Sequence, residues 1–168
     1  MSKLIPDYVP PQPSAEFSAM VKERRESAAT YLISYAQKLS HRGLTERLKV
    51  HGVTVAQWAV LVVLWEIDGL TQKELSERVA VETPTLSRTI DRMERDGLVK
   101  RDRNVRDRRQ VHVNLTEHGA ALWRELVPEA EANLAQALDG FSEQDEAQLC
   151  ALLKRVIGNM TDNQGDQS

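Results

Sequence analysis

Two groups of residues in this chain suit chemistry of one kind. Within residues 84–96, Thr85, Arg88, Thr89 and Arg92 recur at spacings of three and four, with Ser87 beside them. On a helix that spacing puts them on one face, and it puts Leu86, Ile90 and Met93 on the other. An arginine can pair through two N–H groups with guanine O6 and N7. A threonine can hydrogen-bond a base edge or touch the thymine methyl. Further on, Arg106, Asp107, Arg108 and Arg109 form a cationic cluster with one acid inside it. Arginines on a hairpin tip suit a narrow minor groove, whose negative potential attracts them. Asp107 either holds an arginine extended through a carboxylate–guanidinium pair or forms an Asx turn at the tip. A plain amphipathic surface helix and a solvated charged loop would contain the same residue types.

The charge distribution favours the anion-binding reading. The chain has 168 residues and a net charge of −3. Residues 1–87 hold 10 basic and 10 acidic side chains, residues 88–109 hold 9 and 5, and residues 110–168 hold 3 and 10. Positive charge is thus concentrated in one short window of an otherwise acidic chain, and local clustering matters more for nucleic-acid binding than the overall balance.

The elements that must position these residues can be read from capping signals and periodicity. Thr71 and Glu74 have capping-box spacing and open a short helix over 72–79. Thr83-Pro84 reads as an N-cap followed by proline at the first helical position, and Gly97 as a C-terminal cap. Two short capped helices with a tight turn predict a helix-turn-helix with its second helix over 84–96. After Gly97 the period changes to two: Val111, Val113 and Leu115 alternate with polar residues. A β-hairpin wing over 98–115 with a charged tip follows. Thr54 and Gln57 form another capping box before a run, residues 55–67, that is apolar on nearly every side. That run predicts a central helix buried all round.

The flanks are helical. A long helical pattern starts near Ala15, with Gly43 as its possible stop or bend. Residues 117–160 form helices with apolar stripes, kinked or split at Pro128. Long helices near chain ends often pair with a second subunit. The full expectation is a mostly α fold with a small β-hairpin wing: an extended arm over 1–14, an N-terminal helical region over 15–53, a winged helix-turn-helix lobe over 54–116, C-terminal helices over 117–160 and a polar tail over 161–168.

These motifs resemble the MarR family of transcription regulators. The resemblance rests on Gln57-Trp58-Ala59-Val60-Leu61, on Leu70-Thr71-Gln72-Lys73-Glu74-Leu75, on the run from Ser87 to Val99, on Asp107-Arg108-Arg109, and on Leu115-Thr116 followed by Gly119. It implies a homodimer formed through the N- and C-terminal helices, bound to a pseudo-palindromic operator on double-stranded DNA. By position, Arg88 matches the reading-helix arginine, Arg108 the minor-groove arginine and Asp107 the acid that orients it. The resemblance also implies repression relieved by a small aromatic or phenolic acid, or its CoA thioester. The implied effector pocket would be bordered by Tyr31, Tyr35, His41, Arg42, Trp58 and Trp65.

Other classes are disfavoured. The chain has no phosphate-binding glycine loop and no hydrolase or zinc-protease motif, so no catalytic residue or cofactor is assigned. His41, His51, His112 and His118 are scattered, so no metal site is assigned. The single cysteine, Cys150, excludes an internal disulfide, and its place beside an apolar stripe predicts a buried, inert thiol. No run is long and apolar enough to span a membrane and the start lacks a secretory pattern, which together point to the cytoplasm. The competing readings are a winged helix that binds proteins and a DNA-binding protein without sequence preference or effector.

Overall fold

The computed structural model describes residues 14–103 and 111–162. Residues 1–13 of the arm expected over 1–14, the wing tip with Arg106, Asp107, Arg108 and Arg109, and residues 163–168 of the expected tail lie outside the described residues. The chain forms two compact units that divide between Leu39 and Ser40.

The first unit contains α1 (Ala15–Glu26) and the start of α2 (Ala29–Lys49). The single long helix expected here is two helices. Ser27 ends α1 because its hydroxyl donates to the carbonyls of Glu23 (3.1 Å) and Arg24 (3.2 Å), a local alternative to the helical pattern. Gly43 stops nothing: it lies inside α2, and a β-carbon there would collide with the Asn133 side chain. It permits a close approach.

The second unit holds the core. The Thr54–Gln57 capping box forms as expected and opens α3 (Val55–Glu66). This helix buries Gln57, Val60, Leu61 and Leu64, but Val62 is 41% exposed, so it is not covered on every side. β1 (Leu70–Thr71), unforeseen in the sequence, leads into α4 (Gln72–Val79), whose capping box joins Thr71 and Glu74. That box holds the Glu74 carboxyl below its ordinary range, first through the Thr71 hydroxyl and then through the Thr71 N–H.

The second helix of the motif, α5, runs Thr83–Arg95. Its N-cap is Glu82, not Thr83, and no side chain caps it; Thr83 and Pro84 occupy the first helical positions. The Thr83 hydroxyl lies 3.2 Å from Ser76 Oγ, and Ser76 Oγ donates to the Val81 carbonyl at 2.6 Å, so these hydroxyls pin the turn instead. Gly97 (φ +70°) ends the helix as expected, in the left-handed region where glycine has no steric penalty. The N–H of Leu98 then donates to the Met93 carbonyl at 2.8 Å.

β2 (Val99–Arg103) and β3 (Val111–Leu115) form the wing, paired antiparallel from Val99↔Leu115 to Arg103↔Val111. β1 adds to the other side of β3, in register Leu70↔Val113, giving the order β1-β3-β2. After it come α6 (Glu117–Ala121), α7 (Trp123–Ala137) and α8 (Glu143–Asp162). The helical break falls at Leu122; Pro128 lies within α7 without splitting it. Arg47 and His51 tie the end of α2 and the turn after it to Glu129 and Glu125 of α7, at 3.4 and 3.2 Å.

The core is one cluster of Leu48, Val60, Leu61, Leu64, Leu75, Leu86, Ile90, Met93, Leu98, Val99, Val113 and Leu126, with neighbours at its edge. Large apolar side chains stay exposed elsewhere. In the first unit these include Phe17, Met20, Leu32 and Leu39; on α8 they include Leu152, Val156, Ile157 and Met160. Cys150, expected to be buried, is exposed on α8. No helix among the described residues is long and apolar enough to cross a membrane.

Candidate nucleic-acid interface

The face of α5 divides as its spacing predicts. Leu86, Ile90 and Met93 are buried; Thr85, Arg88 and Arg92 are exposed; Ser87 and Thr89 are half-buried. The Thr89 hydroxyl donates to the Thr85 carbonyl at 3.2 Å. Because three core side chains anchor the helix, its outward groups project from a fixed platform.

The platform is braced by a contact that the sequence spacing does not reveal, between Gln57 and Asp96. Gln57 is 1% exposed. Its Oε1 accepts from the Thr54 N–H at 2.9 Å, and its Nε2 donates to Asp96 Oδ2 at 2.7 Å. The same Asp96 oxygen lies 3.8 Å from Arg92 Nε. The cap of α3 is thus linked to the end of α5 and to one of its outward arginines.

A second brace joins α5 to the wing. From β2, Arg101 donates through its backbone N–H and Nη1 to Glu94 (3.1 and 2.7 Å) and through Nη2 to Asp91 (2.6 Å). Its side chain is 22% exposed. Desolvation works against the Arg101 charge, but the hydrogen bonds to Asp91 and Glu94 outweigh it, and the guanidinium pKa is raised. Along the ribbon, Lys100 and Asp102 pair at 3.0 Å and Asn114 donates to Asp102 at 3.2 Å.

The base of the wing explains the Leu-Thr-x-x-Gly run. The Thr116 hydroxyl donates to the Gly97 carbonyl at 2.6 Å and accepts from the Gly119 N–H at 3.0 Å, while the Thr116 N–H donates to the Leu98 carbonyl. Gly119 packs against that carbonyl so closely that a β-carbon would overlap it. The indole N–H of Trp65 donates to the Gly119 carbonyl at 3.0 Å.

The effector candidates belong to both units. In the first unit Tyr31 and Tyr35 stack at 5.7 Å, and Arg25 lies 5.2 Å over the Tyr31 ring. In the second unit Trp58 and Trp65 meet edge to face at 5.6 Å, at the margin of the core, and Arg42 is exposed. Of the six, only His41 lines the cavity of about 470 Å³ that opens beside α5. The other walls are Thr45, Lys49, Gly52, Val53, Thr54, Val55, Ala56 and Arg92. Lys49 and Thr45 are residues that the sequence reading missed, since nothing in their spacing brings them to Arg92. Among the described residues no cluster of three metal-ligating side chains occurs.

Comparison with known proteins agrees with this geometry. The MarR family model matches residues 53–111. The homoprotocatechuate degradative operon repressor of Escherichia coli is 31% identical over 119 residues, covering 71% of this chain and 80% of that protein. A MarR-family regulator structure from Silicibacter pomeroyi aligns with TM-score 0.68 at 29% identity, over 80% of this chain and 91% of that one. A variant of Escherichia coli MarR solved in complex with operator DNA aligns with TM-score 0.71 at 28% identity, over 85% and 99%. The chain belongs to the MarR family of winged helix-turn-helix transcription regulators.

Proposed function

We propose that this protein binds a pseudo-palindromic operator as a homodimer, with half-sites about one helical turn apart, and represses transcription until a small aromatic acid or its CoA thioester releases it. The observation that carries the DNA reading is the division of α5, core-anchored through Leu86, Ile90 and Met93 and presenting Thr85, Arg88 and Arg92 outward. Ser87 and Thr89 flank that face. Arg88 reads a guanine in the major groove. The wing residues Arg106, Asp107, Arg108 and Arg109 take the adjacent minor groove, with Arg108 inserted and Asp107 orienting it. The exposed apolar side chains of α1, α2 and α8 support dimerisation, because monomers rarely leave such stripes in water.

The effector site we favour is the cavity beside α5. Lys49, Arg92 and His41 suit a carboxylate, and Val53, Val55 and Ala56 suit a ring. Arg92 belongs both to this cavity and to the DNA-reading face. A bound carboxylate therefore competes with DNA, and with Asp96, for one guanidinium. Similarity to a homoprotocatechuate degradative operon repressor supports this effector class.

The test is selection of binding sites from random duplex DNA at physiological salt, repeated with a panel of aromatic acids and CoA thioesters. An inverted repeat that loses protein on addition of one compound is the expected result, with Arg108→Ala strongly weakened. Salt-sensitive binding without sequence preference would replace this reading with non-specific DNA association, and absence of DNA binding would point to a protein partner.

A further inference from the structure

We infer that Arg101 is a positioning residue for sequence reading: it sets the angle between the reading helix and the wing without touching DNA itself. The inference rests on the proposed assignment of α5 to the major groove and the wing to the minor groove. Those two elements must enter neighbouring grooves together, so their relative orientation decides whether base contacts form. β2 and α5 are joined through Asp96, Gly97 and Leu98, a connection too short to carry side-chain contacts of its own along the length of the ribbon. Arg101 supplies such a contact one residue beyond Lys100, at a point where the ribbon is leaving the core: Val99 is buried, Lys100 exposed.

The geometry is that of a clamp. One guanidinium engages two carboxylates on α5, Glu94 at 2.7 Å and Asp91 at 2.6 Å, and the Arg101 backbone N–H adds a third bond to Glu94 at 3.1 Å. Asp91 and Glu94 are three apart on the helix, so a planar fork reaching both fixes direction as well as distance. With its donors directed to these acids, Arg101 faces the helix. The clamp also offsets one of the two negative charges that Asp91 and Glu94 place on the proposed reading helix, and so weakens their repulsion of phosphate. A surface acid next to DNA ordinarily weakens binding, so its removal ordinarily helps; here removal of Asp91 and Glu94 is expected to harm recognition.

The experiment compares affinity for the selected operator with affinity for random duplex, for wild type, Arg101→Met, Arg101→Lys and the double variant Asp91→Ala/Glu94→Ala. The ratio of the two affinities is the readout. A smaller folded fraction, or loss of a phosphate contact, lowers both affinities alike and leaves the ratio unchanged. We expect the ratio to fall on the order of tenfold in Arg101→Met and in the double variant, the scale of one lost base contact. Arg101→Lys keeps the charge and one carboxylate contact, and its ratio should lie between. An unchanged ratio in Arg101→Met, or a double variant that binds operator as well as or better than wild type, overturns the inference. A wild-type ratio near one overturns the proposed operator reading and this inference with it, and is recognisable before any variant is made.

Discussion

Alanine in place of Gly119 separates two physical expectations by sign. Gly119 lies in α6, and helix propensity alone makes Gly→Ala stabilising by about 1 kcal/mol. The packing argues the reverse. A β-carbon there would overlap the Leu98 carbonyl oxygen, with the carbonyl carbon 2.9 Å and the Leu98 Cα 3.3 Å away. These are backbone atoms of a buried residue and cannot swing aside. The same carbonyl accepts the Thr116 N–H at 3.1 Å, Gly119 donates to the Thr116 hydroxyl at 3.0 Å, and its own carbonyl accepts the Trp65 indole at 3.0 Å. Relief of the overlap requires α6 to retreat, stretching at least two of these bonds. Overpacking costs about 1–3 kcal/mol, and each weakened hydrogen bond about 0.5–1.5 kcal/mol. After the propensity gain, Gly119→Ala should lose about 1–5 kcal/mol. The assay is denaturant unfolding at fixed protein concentration, read as a shift in midpoint at unchanged slope. A variant as stable as the parent, or more stable, would refute the reasoning.

Three further outcomes are expected. Arg88→Ala should weaken operator binding by about 1–3 kcal/mol and relax preference at one position per half-site; an unchanged preference profile in binding-site selection would show that Arg88 touches only phosphate. Gln57→Leu should cost about 1–3 kcal/mol of stability, because the Thr54 N–H loses its acceptor and Asp96 its donor; denaturation midpoints decide this, and a neutral result would mean the network is slack. Hydrogen bonds from Thr71 and Ser142 hold the Glu74 and Asp145 carboxyls below their ordinary values. The folded chain therefore binds these protons less readily than the unfolded one, so the contribution is full above the unfolded carboxylate range and fades as pH falls through the folded values. The stability gap between parent and the Glu74→Gln/Asp145→Asn variant should narrow on acidification, and a pH-independent gap would count against it.

Much of the DNA-binding lobe was legible because its signals are local. Capping boxes at Thr54 and Thr71 act over three residues, and Gly97 reports a backbone conformation at one position. The alternation of Val111, Val113 and Leu115 marks the strand, of which Val113 enters the core and Leu115 packs against it. The sign of the residue pattern in α5 likewise settled its buried and exposed faces. Errors arose where a local signal had two meanings. Gly43 looked like a helix stop, but the glycine serves the close approach of Asn133 from α7. Thr83 looked like a cap, but Ser76 across the turn takes its hydroxyl.

What the sequence determined by itself is therefore the helix-turn-helix and its hairpin wing, and the buried and exposed faces of α5, since helix and strand periods translate residue spacing directly into faces. What only the tertiary structure decided is which distant side chains meet: Gln57 with Asp96, Arg101 with Asp91 and Glu94, Gly119 with Leu98, and Lys49 with Arg92 at one cavity. The reason is geometric. Many residues in this chain could supply a carboxylate or a guanidinium, and one sequence without its fold carries no distance between them. Packing of the core around Leu61, Leu86 and Met93 sets those distances, and with them the bracing of α5 and the wing.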